Sequence, residues 1–360
     1  MVRRREDGLL TVGVDAHKRT NMAVAIDVAG REVARWHGPN SIAGWQQVAA
    51  WAAALDPEVR RGIEGAWNYG RGLAQQLVEA GATVYEVNAR WTAAGRRRAR
   101  TPGKSDGLDA RAVALVVSRE TDSLPPVTAD DETAVLDLLV GERDGAVAET
   151  TRLRNQLHQL LLHLDPDYRQ RIPSLKTQKG LRAVADYATS DPRPLQQQRA
   201  AAVRRLAPRL ALLVEQAREL AAQIRALAAT RYAPLVTICG VDLLTAAALA
   251  GIFGPGRRFA SDAQLAAYAG VAPLEASSAE RVRHRLNRGG NRQLNAILYR
   301  IALTQARCSA AARAYLARRV SEGKTKREAL RALKRFIVRT VWRRWQECLA
   351  APAASAALAA

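Results

Sequence analysis

Over the first ninety residues the apolar positions fall in short blocks separated by turn residues. Leu9–Val14 reads as an apolar strand ending at Asp15, Met22–Val28 as a second, and Glu32–His37 as a third that returns after the Ala29-Gly30 turn. Ser41 is placed to cap a helix over Ala43–Leu55. Val59–Ile63 reads as a strand ending at Glu64, Tyr69–Ala80 as a helix stopped by Gly81, and Ala82–Val87 as a further strand. Three strands in succession, followed by alternating helix and strand, predict a mixed sheet flanked by helices.

The period then changes. Leu206, Leu210, Leu213, Ala217, Leu220, Ile224 and Leu227 follow alternating steps of four and three, an a/d heptad seam, and Leu153, Leu157, Leu160 and Leu164 repeat the pattern earlier. A break containing Pro and Gln, around 191–198, separates the two arms. The reading is an antiparallel coiled-coil hairpin, with a plain helical bundle as the alternative, and the 206–227 seam is a natural self-association surface. From 231 to 348 the pattern predicts a compact helical region with turns at Gly251–Gly256 and Gly289-Gly290. The Ala-rich stretch beyond Leu349 predicts disorder. The fold class is therefore α/β plus α, divided at 1–125, 126–230, 231–348 and 349–360.

Charge adds what patterning cannot. Of 360 residues, 55 are Lys or Arg against 34 Asp or Glu, a net +21, so the surface repels itself unless it meets a polyanion. Nucleic acid leads as the partner and an anionic membrane follows. Between Arg281 and Arg344 nineteen basic residues face two acids, Glu322 and Glu328. Arginine greatly outnumbers lysine, which suits bidentate phosphate contacts but equally follows from a GC-rich genome. With 24 Gly, 14 Pro and 3 Cys, collagen-like and disulfide-scaffold classes are excluded. Cys239, Cys308 and Cys348 have no zinc-ligand spacing, so a reducing compartment is the expectation. Met1-Val-Arg-Arg-Arg lacks the apolar stretch of a signal peptide. Val236–Phe253 is interrupted by Asp242 and bounded by Gly-Pro-Gly, which reads as a buried helical hairpin and not a membrane span.

Four carboxylates stand out by position. Asp15 and Glu64 end strands, and Asp106 and Asp109 share one face of a helix that opens in Lys104-Ser-Asp-Gly-Leu-Asp-Ala110. Such oxygens can converge on hard cations such as Mg²⁺ and support in-line phosphoryl displacement. The plainer readings are a helix cap for Asp106 and a strand end for Asp15. Arg96, Arg97, Arg98, Arg100 and Lys104 form a basic run just before that helix, suited to gripping phosphates or simply to facing solvent. Ser277 and Ser278 are followed by Arg281, Arg283, Arg285, Arg288 and Arg292, a setting in which a serine hydroxyl could attack a phosphodiester. Serines in loops are usually caps or turns. His17 and His284 read as lone packing or surface groups, and Gly251–Gly256 lacks the Gly-Lys-Ser/Thr of a phosphate loop.

Taken together, Val12-Gly-Val-Asp-Ala-His-Lys18, Ile63-Glu-Gly65 with Tyr69-Gly70, Lys104-Ser-Asp-Gly-Leu-Asp-Ala-Arg111 and Leu265-Ala-Ala-Tyr-Ala-Gly-Val-Ala-Pro273 resemble the DEDD transposases of the insertion-sequence one-ten family, relatives of the Piv-type DNA invertases. The resemblance spans about 9–120 and 235–345, in the family's order. It implies a RuvC-like, ribonuclease-H-type domain at 1–125 whose Asp-Glu-Asp-Asp set is Asp15, Glu64, Asp106 and Asp109, a helical spacer, and a serine-bearing transposase domain at 231–348. The family's nucleophile lies five residues beyond the proline, which points to Ser278. Ala279 stands where the family usually has glycine, which leaves Ser277 as a second choice, and Asp242 occupies a turn where a second glycine is common.

The resemblance further implies donor and target DNA as partners, a noncoding guide RNA, Mg²⁺ as cofactor, and a homo-oligomer, dimer or tetramer, whose protomers contribute different halves of each active site. The expected setting is the bacterial cytoplasm, at the nucleoid, with no membrane partner. The rival readings are a metal-dependent nuclease or Holliday-junction resolvase that uses water, and a non-catalytic nucleic-acid-binding protein.

Overall fold

A computed structural model describes residues 9–88, 92, 106–256, 258–275, 284–285, 287 and 289–351. The chain divides into two compact units. One runs up to Asp131 and also takes in Pro255–Gln264; the other holds Glu132–Gly254 and the chain from Leu265 onward.

The first unit is built on a five-stranded mixed sheet of β1 (Thr11–Ala16), β2 (Thr20–Ile26), β3 (Glu32–Pro39), β4 (Arg60–Glu64) and β5 (Val84–Val87), in the order β3-β2-β1-β4-β5. β1 pairs antiparallel with β2 and parallel with β4, and β4 pairs parallel with β5. The sheet is mixed, as the pattern of strands and helices predicted. All six residues of β1 are buried, whereas β3, at the edge, alternates with exposure.

Side chains alternate across the sheet. Val12, Val14, Ala23, Ala25 and Ile63 face α1 (Ile42–Leu55) and α2 (Arg71–Glu79), where they join Val48, Ala52, Leu73 and Leu77 in one core. Ser41 caps α1 as predicted, its Oγ accepting from the Gly44 amide at 3.3 Å. The opposite face packs on α3 (Asp106–Glu120), with Val24 and Ile26 against Ala110 and Ala114, and Val87 against Val113 and Val117. Within Pro255–Gln264, Arg258 lies 93% buried and donates to Glu86 at 2.5 Å, and Glu86 also accepts from Trp67 Nε1 at 3.0 Å.

The second unit is helical. α4 (Glu132–Leu164) is followed by α5 (Tyr168–Arg171), α6 (Gln178–Ala185) and α7 (Pro194–Ala228). Gln196 of α7 donates to the His163 carbonyl, Arg209 lies 3.7 Å from Glu149, and Arg231, just past α7, pairs with Glu132. Contacts that run backward along one helix as they run forward along the other make the pair antiparallel.

Leu153, Leu157 and Leu161 pack with Val203, Leu206, Ala207 and Leu210, and Leu220 and Ile224 are also buried. The sequence-based expectation that the 206–227 seam serves self-association is therefore corrected: much of its apolar surface is covered within one chain. The expected break at 191–198 is corrected as well. α7 starts at Pro194, whose missing N–H costs nothing in the first helical turn, and the interruption is the 165–193 stretch that holds α5 and α6.

Beyond lie α8 (Ala233–Val236), α9 (Leu243–Phe253), α10 (Asp262–Tyr268), the short hairpin β6 (Leu274–Glu275) and β7 (His284–Arg285), then α11 (Arg292–Cys308), α12 (Ala310–Ser321) and α13 (Lys326–Ala350). Asp242 caps α9, accepting from the Thr245 amide at 2.8 Å. Tyr232 stacks on Trp345 with centroids 5.8 Å apart, and Phe253 meets the same indole edge-on at 5.1 Å. No described helix is long and apolar enough to cross a membrane. α13 continues to Ala350, and the expected disorder over most of 349–360 falls outside the described residues.

Candidate active site

Two glycines decide where the acidic residues meet. Gly13 and Gly62 each stand two positions before a carboxylate, in Gly13-Val-Asp15 and Gly62-Ile-Glu64, so on a pleated strand each glycine shares a face with its carboxylate. That face is the one covered by α3. A Cβ on Gly13 would lie 2.2 Å from the Ala114 amide nitrogen and 2.3 Å from the Ala110 carbonyl oxygen; one on Gly62 would lie 2.2 Å from Val117 Cγ2. The helix is thus pressed onto β1 and β4, and its first turn is delivered to the ends of those strands.

Asp15 and Glu64 are register partners across the parallel β1–β4 ladder. Asp15 and Asp109 are buried, at 6% and 5% exposure, while Asp106 is exposed. Burial pushes the Asp15 carboxyl up to about 6; the nearby His17 opposes the shift, and Glu64, Asp109 and Asp106 add to it. The Asp15 carboxyl therefore feels all three other predicted acids. Asp15 Oδ2 is buried and has no hydrogen-bond partner among the described residues. His17 Nε2 lies 3.1 Å from it and 3.5 Å from Asp106 Oδ1, close enough for ionic attraction without hydrogen-bond alignment.

Asp15, His17 and Asp106 can each offer a donor atom within 4.8 Å of one another. Glu64 and Asp109 lie outside that tight trio and beside Asp15, and Glu64 Oε2 accepts from Thr92 Oγ1 at 3.0 Å. A buried carboxylate oxygen without a donor, in a set of hard oxygens, fits a divalent cation.

His17, Thr92 and Asn40 escape the sequence reading. His17 reads as an isolated histidine, although its place two residues after Asp15, in the turn between β1 and β2, is the available signal. Asn40 Nδ2 donates to the carbonyls of His17 at 2.8 Å and Tyr69 at 3.0 Å, tying that turn to the loop before α2, and its Oδ1 accepts from Trp45 Nε1 at 2.6 Å.

Of the remaining predicted residues, Arg96, Arg97, Arg98, Arg100, Lys104, Ser277, Ser278, Arg281, Arg283 and Arg288 lie outside the described residues. Arg285 lies in β7. Arg292 is exposed at the start of α11, where Asn291 Oδ1 accepts from the Leu294 amide at 2.9 Å.

Two family models match the chain: the DEDD transposase of IS110 over residues 12–166, and the transposase of the IS116/IS110/IS902 family over 232–317. A relative from Streptomyces coelicolor, the insertion element IS110 uncharacterized 43.6 kDa protein, is 30% identical over 275 residues, covering 64% of this chain and 68% of the relative. Among solved structures, Thermus thermophilus RuvC in complex with a Holliday junction substrate is 15% identical, and a second Thermus thermophilus RuvC structure 18%. Each covers 33% of this chain and 100% of the other, at a TM-score of 0.27. Two family matches in the order of the motifs, with a relative that shares most of its length, lead to one conclusion: the chain belongs to the IS110 family of transposases, enzymes that act on DNA.

Proposed function

We propose that this transposase cuts and rejoins insertion-sequence DNA through a serine–DNA ester, under the direction of a noncoding RNA. The observation that supports this reading best is the gathering of Asp15, Glu64, Asp106 and Asp109 at one end of the sheet in a member of a DNA transposase family. These carboxylates would hold Mg²⁺, which when bound would supply positive charge to the phosphate under attack.

The chain's own residues prepare that place. Asp15 keeps an uncommitted oxygen, Thr92 restrains one oxygen of Glu64, and His17 offsets part of the charge between Asp15 and Asp106. Ser278 is the nucleophile of this reading, with Ser277 as the neighbour to exclude. Its Oγ forms an ester with phosphorus as the bond to a sugar oxygen breaks, and that oxygen leaves as a hydroxyl. Attack on the ester by a sugar hydroxyl reverses the step and joins strands without loss of bond energy.

Residues 1–125 then serve as the carboxylate domain, 126–230 as the spacer and 231–348 as the serine domain. Arg96, Arg97, Arg98, Arg100, Lys104, Arg281, Arg283, Arg285, Arg288 and Arg292 contact phosphates, RNA pairing sets sequence, and a homo-oligomer carries out strand exchange at the nucleoid.

The test is a denaturing gel of protein incubated with labelled element-end DNA and Mg²⁺. Wild type and Ser277→Ala should yield protein joined to DNA, and Ser278→Ala should not. Free cleaved ends with no adduct would favour the water-using nuclease. Binding that ignores Mg²⁺, without breakage, would leave a binding protein.

A further inference from the structure

The helical unit contains a cavity of about 360 Å³ bounded by Gly270–Pro273, Asn287, α12 and α13. Its lining is strongly cationic. Among the described residues, Arg319, Lys324, Arg331, Lys334 and Arg335 contribute to it against one carboxylate, Glu328. Glu328 is already engaged in its own helix cap: its Oε2 accepts from the Thr325 amide at 2.9 Å and from Thr325 Oγ1 at 2.8 Å, and Arg331 lies 3.8 Å from its other oxygen.

Lys334 carries the argument furthest. It is 93% buried, its Nζ donates to Asn295 Oδ1 at 2.9 Å and stands 5.9 Å from the Tyr299 ring centroid, and no carboxylate among the described residues pairs with it. Burial, with Arg331 adding to it, holds its ammonium below the usual lysine range. Arg319 Nε is likewise buried with no acceptor among the described residues, although Nη1 donates to Glu322 at 2.5 Å. Arg319 has Glu322 as its counter-charge, but a buried ammonium such as Lys334, with no carboxylate partner among the described residues, is costly, and an anion entering the cavity would relieve that cost.

The same wall is aromatic. Tyr315 and Phe336 line it with ring centroids 5.0 Å apart at 70°, and Phe336 remains 47% exposed. Arg318 and Arg319 lie over Tyr315, and Arg339 over Phe336. An exposed ring among cations is poorly suited to inorganic phosphate alone. It suits a ligand that joins a flat π-face to a phosphate, and the volume lies in the range of small-ligand pockets.

We propose that this cavity receives one unstacked nucleotide of a single strand, its phosphate among Arg319, Arg331 and Lys334 and its base against Phe336 and Tyr315. The proposal deepens the reading above and rests on nucleic acid being the substrate, but not on the carboxylates or on Ser278. Pro273 leads directly into β6, and Asn287 lies just beyond β7. The nucleotide is thereby held at both roots of the segment that contains Ser277 and Ser278. Asn295 ties the pocket to that root, its Nδ2 donating to the Ala269 carbonyl at 2.8 Å while its Oδ1 takes the Lys334 proton donor.

The experiment measures equilibrium binding of the full chain in EDTA, where no metal-dependent strand chemistry runs, so loss of cleavage or of the covalent adduct leaves this readout untouched. The probes are a labelled single-stranded DNA 20-mer, the RNA of the same sequence, and the DNA duplex. Phe336→Ala should weaken single-strand binding about tenfold and leave duplex binding within about twofold. Phe336→Leu, which keeps an apolar side chain but no ring, should reproduce most of that loss. Arg331→Gln should weaken single-strand binding more than Arg343→Gln, an exposed arginine on α13 outside the cavity. A larger loss on one of the two single strands names that strand as the occupant, and equal losses assign a pocket indifferent to the sugar. Wild-type single-strand affinity in both Phe336 variants, or an equal loss on the duplex, would overturn the proposal.

Discussion

The two units store charge of opposite sign in similar ways. In the first, Asp15 and its three acidic neighbours have the half-exposed His17 beside them among the described residues. In the second, five cations among the described residues share a cavity with Glu328, a carboxylate tied to its own helix cap. Each arrangement depends on a close approach that glycine permits: α3 on Gly13 and Gly62 in one unit, and in the other the Gly270–Gly290 backbone contact, where a Cβ on Gly290 would lie 2.1 Å from the Gly270 nitrogen. Like charges crowded into buried positions oppose folding and persist where a partner of opposite sign compensates them. The acidic site of the first unit fits a divalent cation, and the cavity of the second is the one proposed for a nucleotide. Of the net +21 of the chain the second unit carries +18 and the first only +3, so the acidic site sits in a unit close to neutral.

The largest expected effect tests the acidic pole itself. Asp15→Asn should lower DNA strand breakage by roughly a thousandfold while leaving single-strand binding in EDTA intact. Loss of both would dissolve the separation between the units.

The same variant also has a pH signature. A carboxyl whose folded value is raised to about 6 contributes stability below its unfolded value near 3.8, and that contribution is lost as pH rises through 6. In EDTA, thermal melts should therefore show wild type losing stability relative to Asp15→Asn between pH 4 and pH 8. Adding MgCl₂ at pH 8 should raise the wild-type melting temperature more than that of the variant. Parallel pH curves for the two proteins would remove the electrostatic half of the comparison.

Next comes the packing that builds the pole. Gly13→Val places atoms into the α3 backbone and should destabilise the protein by about 3 kcal/mol, read from urea unfolding. A near-neutral result would mean that the helix is not held against β1 as described. The smallest effect belongs to Thr92→Val. It removes one hydrogen bond to Glu64 and should slow strand breakage about fivefold, the equivalent of about 1 kcal/mol, with EDTA binding unchanged.

Much of the acidic site was legible because it is short-range in character. The alternation of β1 predicts which face Asp15 takes, and the three-residue spacing of Asp106 and Asp109 predicts a shared helical face. His17 was not legible. Its value comes from Asp106, eighty-nine positions away, and a lone histidine in a turn carries no periodic signal. The 206–227 seam was legible in part. Heptad spacing predicts an antiparallel pairing with the arm that holds Leu153 and Leu157, and the structure packs the seam there; what spacing does not state is that this leaves little of the stripe for self-association.

By itself the sequence determined what repeats locally: the strands and helices, the capping residue Ser41, the phase of Asp15 and Glu64 along their strands, and the motifs that carry the family membership. These follow from backbone periodicity and from hydrogen bonds a few residues long. Only the tertiary structure decided which surfaces meet: α3 against Gly13 and Gly62, His17 between two carboxylates, and the cations of α12 and α13 around the Gly270–Pro273 loop. Those pairings are set by distances of a few ångströms between elements far apart in the chain, which periodicity does not encode.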